Sequence, residues 1–205
     1  MPRGARRCQG HRDYGHPCPW FHYSRLPDAR TYIRLFQFLP CDNVEIVSIG
    51  LYEFELNSAP AYTALSYAWG SRHSPTECIA VNDRLHYTQS NCVFALHQLR
   101  DANVSKYYWA DAICIDQGDW EEKGMQVAFM AEIYSHARQV CISCGPSSVG
   151  ALDRLQSTIQ GSGDRLAPPK IQRSAITSAI ENLAFQPYWS RLWVSISSRL
   201  LRTRA

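Results

Sequence analysis

The hydrophobic positions of this chain change period along its length, and the changes mark its elements. Thr31 to Leu39 (TYIRLFQFL) is dense in aromatic and branched residues and is closed by Pro40, which predicts a strand. Val44 to Leu51 predicts a second strand and Tyr62 to Tyr67 a third, ending at Trp69-Gly70, where glycine permits a sharp turn. Glu77 to Val81 and Arg84 to Tyr87 predict two short strands joined through Asn82-Asp83, a hairpin-type signal weaker than Asn-Gly. The period then lengthens. Ser90 opens a helix in which Cys92, Ala95, Leu96 and Leu99 share one face. Tyr107 to Ile115 (YYWADAICI) is short and mostly apolar, which suits a strand buried on both sides. Asp119 is a helix N-cap with Glu122 three residues on in a capping-box pattern, and Val127, Met130, Tyr134 and Ala137 form the apolar stripe behind it. Gln139 to Ser143 predicts a further strand, stopped at Gly145-Pro146. Residues 160–170 read as a loop, Ile171 to Ala184 as a helix, and Pro187 to Val194 as the start of another element.

Strand, helix and strand in succession imply a parallel crossover. The expected fold is therefore α/β, a mainly parallel sheet flanked by helices on both faces, with a β-hairpin insertion near residues 77–87. Residues 1–30 show no periodicity and read as a poorly ordered basic segment, residues 31–194 as the domain, and residues 195–205 as a basic tail.

Composition narrows the class. The 205 residues are 45% hydrophobic and 19% charged, which is ordinary globular content. The net charge of +3 is small, and Arg3, Arg6, Arg7, Arg12, Arg199, Arg202 and Arg204 concentrate it at the ends. Such ends are commonly solvated tails, so nucleic-acid binding is not expected. No apolar run approaches the ~20 residues of a membrane span, and no apolar stretch follows the N-terminal basic residues as a secretory signal requires. The eight scattered cysteines then read as reduced thiols in a cytoplasmic protein.

Three blocks carry a family resemblance. Tyr62-Thr-Ala-Leu-Ser-Tyr-Ala-Trp-Gly70 is the first. Trp109-Ala-Asp-Ala-Ile-Cys-Ile-Asp-Gln117 is the second, followed by Asp119, Glu122, Gln126, Val127, Met130, Ile133, Tyr134 and Ala137. Pro187-Tyr-Trp-Ser-Arg-Leu-Trp-Val194 is the third. In this order they resemble the fungal heterokaryon incompatibility (HET) domain, and Ile33-Arg34-Leu35 is similar to its usual opening strand. The resemblance implies self/non-self recognition and programmed cell-death signalling in fungi. It also implies partners of two kinds, other HET domains or receptor-type proteins.

HET domains distantly resemble TIR domains, which implies a flavodoxin-like sheet and, as the alternative function, NAD glycohydrolase chemistry with NAD as substrate and no bound cofactor. A carboxylate in such an enzyme stabilises the oxocarbenium-like ribose as the nicotinamide bond breaks. Three departures from the family bear on this. Asp116 stands where Asn is usual, and Ser143-Cys144-Gly145 replaces Trp-Leu-Gly. Beyond Val194 the composition shifts abruptly to Ser and Arg, as after a frame change, a retained intron or gene decay, and Ser197 occupies the family's glutamate position. Serine carries no charge, so impaired catalysis and an incomplete domain are the expectation.

Open α/β sheets bind ligands at the C-terminal ends of their strands. That makes Ser66, Tyr67, Trp69, Gly70, Asp111, Asp116, Gln117, Arg191 and Trp193 the candidate ligand-site residues. The plainer alternative is that Tyr67 and Trp69 pack the core, Gly70 makes a turn, and Asp111 forms a structural pair with Arg191. Glu121 and Glu122 read as helix-capping residues. Cys8, His11, His16, Cys18 and His22 match no common zinc spacing, so no metal is expected. Cys141-x-x-Cys144 lacks a thioredoxin-like setting. No Gly-rich phosphate loop, H-E-x-x-H or G-x-S-x-G occurs.

Overall fold

The run from Ile33 to Phe36, apolar but for Arg34, is buried on both faces, as only an interior strand can be. In the computed structural model, which describes residues 19–41, 43–70 and 74–145, that run forms strand β1 (Tyr32–Phe38) in the middle of a seven-stranded sheet. The other strands are β2 (Ser48–Glu55), β3 (Tyr62–Tyr67), β4 (Thr76–Val81), β5 (Arg84–Gln89), β6 (Tyr107–Trp109) and β7 (Gln139–Ser143). Their spatial order is β5-β4-β2-β1-β6-β3-β7. Helices α1 (Ser90–Ala102), α2 (Asp111–Cys114) and α3 (Trp120–His136) complete the described elements.

The fold is α/β as expected, but the sheet is mixed and not mainly parallel. β1 runs antiparallel to both its neighbours, β2 and β6, and β5 runs antiparallel to β4. Parallel pairing joins β2 to β4 and β3 to β6. The cause is the β1–β2 hairpin, whose register is continuous from Tyr32–Glu55 to Phe38–Ile49 and which places β1 between the two parallel pairs.

Several local expectations hold. Asn82 and Asp83 both adopt positive φ (51° and 60°), the backbone of a tight hairpin turn, and they join β4 to β5. Cys92, Ala95, Leu96 and Leu99 are the buried face of α1, which packs on β3, β4 and β5. Asp119 caps α3, its carboxylate accepting from the Glu121 and Glu122 amides at 2.9 and 3.1 Å.

Others need correction. The second strand starts at Ser48, because Asn43 first folds residues 43–46 into a turn, accepting through its side chain from the Glu45 amide at 2.9 Å. The run 107–115 is not one strand. β6 ends at Trp109, and the Ile113 and Cys114 amides donate to the Ala110 carbonyl to form the helical turn α2. On α3 the buried stripe is Glu122, Gln126, Met130, Ile133 and Tyr134, while Val127 is exposed. Residues 19–30, within the segment read as poorly ordered, lie against the domain and bury Leu26 and Ala29. The predicted elements at 160–170, 171–184 and 187–194 lie outside the described residues.

The polar members of the α3 stripe, Glu122 and Gln126, explain its phase. Arg34, at 1% exposure, projects from β1 and meets Glu122 in a two-pronged ion pair, Nη1 to Oε1 at 2.5 Å and Nη2 to Oε2 at 2.8 Å. The same guanidinium donates to the Cys114 carbonyl at 3.1 Å and the Ser24 carbonyl at 2.6 Å, and it lies 5.0 Å over the Tyr23 ring. Glu122 Oε1 also accepts from the Asp116 amide at 3.0 Å. One turn on, Gln126 donates to the Ala29 and Tyr32 carbonyls at 2.6 and 2.8 Å. Strand β1, the 19–30 segment, α2 and α3 therefore converge on one buried pair.

Burial opposes charge on both partners, but their mutual hydrogen bonds outweigh it: Glu122 is held below its usual 4.5 and Arg34 is raised. Because the folded state binds the Glu122 proton less tightly than the unfolded chain, its contribution to stability is complete above about pH 4.5 and is lost as pH falls through the lowered value. Urea unfolding of wild type and Glu122→Gln from pH 7 to 3 should show this acid-linked loss in the wild type only. Equal acid slopes in both proteins would remove Glu122 from the account.

Candidate functional site

Parallel pairing of β3 with β6 sets Tyr62 beside Tyr107, Thr63 beside Tyr108 and Ala64 beside Trp109. Their C-terminal ends therefore open on the same side, the side where α/β sheets bind ligands. From β3 the chain leaves through Ser66 and Tyr67, which are buried, to Trp69, which is half-buried, and Gly70, which is exposed. From β6 it passes through Ala110 into α2, whose first residue is Asp111.

The two exits are tied together. Trp69 Nε1 donates to Asp111 Oδ2 at 2.9 Å, and Gln117 Nε2 donates to the Asp111 carbonyl at 2.9 Å. Asp111 Oδ1 accepts from the Ala112 amide at 2.8 Å. Asp111 thus stands at the start of a helical turn and not inside an apolar strand, and its carboxylate engages an indole. The loop after β3 is fixed from the other side by Asn91, whose Nδ2 donates to the Ala68 carbonyl at 3.1 Å. Gly70 has φ +88°, so the backbone favours glycine, and a Cβ there would lie 2.7 Å from Ser74 Oγ, which would have to rotate away.

Trp69, Gly70, Asp111 and Gln117 are brought together in this way. Asp116 turns elsewhere: its carboxylate accepts from the Gly118 amide at 2.9 Å and its own amide donates to Glu122. Tyr67 bonds to the Cys92 thiol in the core, and burial pushes that thiol up to about 11. Two polar atoms here, Trp109 Nε1 and Gln117 Oε1, are buried without a hydrogen-bond partner. Trp109 otherwise packs edge-on against Tyr134, centroids 5.3 Å apart. Arg191, Trp193 and Ser197 lie outside the described residues.

Among the described residues no group of three or more His, Cys, Asp or Glu is placed to hold a metal, and no helix is long and apolar enough to cross a membrane. Burial raises the thiols of Cys141 and Cys144 above their usual 9.0, which disfavours thiolate chemistry.

The blocks that meet at this mouth fall within a match to the sequence model of the heterokaryon incompatibility protein (HET) family, which covers residues 62–195. The chain belongs to the HET family. A curated relative, heterokaryon incompatibility protein 6, OR allele, of Neurospora crassa, is 34% identical over 138 residues, 60% of this chain and 20% of the relative. The chain therefore spans about a fifth of the length of that relative. No solved structure matches the chain.

Sequence reasoning missed Arg34 and Glu122 as the organising pair of this HET domain. The available signal was a lone arginine inside a strand otherwise buried, which needs a buried anion to be tolerated.

Gly70→Ala should cost about 1–2 kcal/mol through the left-handed backbone alone, read as a lowered urea midpoint at unchanged slope. An unaltered midpoint would mean that the loop is not held as described. The family segment begins at Tyr62, yet β6 pairs with β1 and Glu122 with Arg34, both N-terminal to it. A polypeptide of residues 62–195 should therefore lack a cooperative thermal transition by circular dichroism. A sharp transition like that of the full chain would show that β1 and β2 are dispensable.

Proposed function

We propose that this chain acts in fungal heterokaryon incompatibility, signalling self/non-self recognition after fusion of unlike cells and driving programmed cell death. The family match over residues 62–195 carries this reading, and the name of the Neurospora crassa relative supports it. Its partners on this reading are other HET domains or receptor-type proteins. The geometry suits a signalling role. Asp111 and Gln117 are spent on holding the exits of β3 and β6 together, which gives the mouth a rigid surface for recognition.

Inducible expression of the chain in Neurospora crassa should arrest hyphal growth and raise the fraction of cells that take up a vital dye. Arg34→Met, which leaves Glu122 buried without its partner, should abolish the arrest. Growth equal to that of an empty-vector strain, with the wild-type protein present by immunoblot, would overturn the reading.

A further inference from the structure

The free edge of the sheet at β5 is covered by a strap, residues 19–24. Its backbone holds the edge at one place: Trp20 bridges Leu85, the Phe21 amide donates to the Leu85 carbonyl at 2.9 Å, and the Leu85 amide donates to the Pro19 carbonyl at 3.1 Å. Aromatic contacts add to this. Trp20 packs against Tyr87 at 5.4 Å, and Phe21 and Tyr23, edge to face at 4.8 Å, both meet the His86 ring at 5.7 and 5.9 Å and nearly perpendicular to it. Between strap and sheet lies a cavity of about 210 Å³ lined by Tyr23, Ser24, Arg34, Leu51, Glu53 and Asn82. At its far end the strap is tied down by side chains, the Tyr23 hydroxyl donating to the Ile113 carbonyl at 3.0 Å, Ser24 Oγ to the Glu53 carboxylate at 2.7 Å and Arg34 to the Ser24 carbonyl at 2.6 Å. Residues 19–21 are held on β5 by the Leu85 pairing and ring contacts, with the imidazole of His86 under Phe21.

We propose that the strap is an acid-released latch: it stays closed while His86 is neutral and lifts from β5 when His86 takes a proton. Closure replaces water around the imidazole with two aromatic rings, so an added charge there loses hydration. Asp116, from the loop after α2, attracts that charge, but burial is the larger effect and His86 is held below its usual 6.5. The other groups around it do not reverse the balance. The Tyr23 hydroxyl is neutral, since burial raises it, and it donates to the Ile113 carbonyl at 3.0 Å. Arg34 lies over the same Tyr23 ring and adds positive charge. On the strands, Ile79 opposite on β4 is apolar, Thr88 carries no charge, and Arg84, on the same strand, is exposed. His22 neighbours Tyr23 in the strap.

With the strap lifted, His86 stands on an open edge strand and regains the ordinary imidazole value. The open state then binds the proton more tightly than the closed one. Closure is independent of pH above about 6.5, and below it the closed-to-open ratio falls by up to about tenfold per pH unit until the closed form itself titrates. Opening frees the Leu85 N–H and C=O at a sheet edge, where an extended segment can pair. At pH 5.5 the Arg34–Glu122 pair is intact, because Glu122 titrates below 4.5.

Amide hydrogen exchange of the full chain at pH 7.5 and 5.5, corrected for intrinsic rates, tests the latch. Protection at Phe21 and Leu85 should fall by up to about tenfold at the lower pH, while the amides of β3 stay protected. His86→Phe keeps an aromatic ring and removes the titration, so it should show no fall. Unchanged wild-type protection, or an equal fall in His86→Phe, would overturn the proposal. Independently of that variant's folding, the wild-type His86 ring followed by NMR should titrate below 6.5, and a midpoint at or above 6.5 would overturn it as well.

Discussion

A guanidinium buried in the middle of a sheet is tolerable only if a carboxylate reaches it, and in this domain that demand organises the rest. Arg34 sits at 1% exposure on β1, and Glu122 arrives from the first turn of α3 to meet it with both oxygens. Two charges removed from water gain little net stability from each other, but removing one partner strands the other. The pair therefore acts mainly as a specification. It sets the rotational phase of α3, draws the Ser24 and Cys114 carbonyls inward, and holds the Asp116 amide. Through Cys114 and Asp116 it reaches the turn after β6, and so the mouth of the β3–β6 pair.

That mouth is built from short-range needs that meet across the sheet. Gly70 turns the chain through a left-handed backbone, Asn91 holds the Ala68 carbonyl, and Trp69 crosses to Asp111. Each contact is ordinary, at about 1 kcal/mol net for a hydrogen bond. Together they fix two loops that leave neighbouring parallel strands. The antiparallel β1 beside β6 does not disturb this, because β6 and β3 still run in the same direction.

Features set by neighbours in the chain were legible in the sequence. The Asn82-Asp83 turn, the buried face of α1 and the Asp119 cap each depend on a few consecutive residues and form as predicted. The Glu122 half of the predicted capping box does not, because its carboxylate goes to Arg34 and the Asp116 amide. Features set across the sheet were not. The apolar run YYWADAICI hides a four-residue helical turn too short to show a period. The antiparallel insertion of β1 depends on hairpin pairing over the whole register with β2. The stripe of α3 was misphased to Val127 because its first two members are Glu122 and Gln126, polar residues that a hydrophobic scan passes over. Among the candidate site residues, Trp69, Asp111 and Gln117 come together as strand-end residues should, but the sequence did not reveal that Trp69 is bonded to Asp111.

The central claim is that Arg34 and Glu122 act as one unit, and a double-mutant cycle measures it most directly. Urea unfolding of Arg34→Met, Glu122→Leu and the double variant should show each single change costing about 3–5 kcal/mol. The double variant should cost no more than either alone, because neither charge is left stranded. Single costs under about 1 kcal/mol, or costs that simply add in the double variant, would contradict the account.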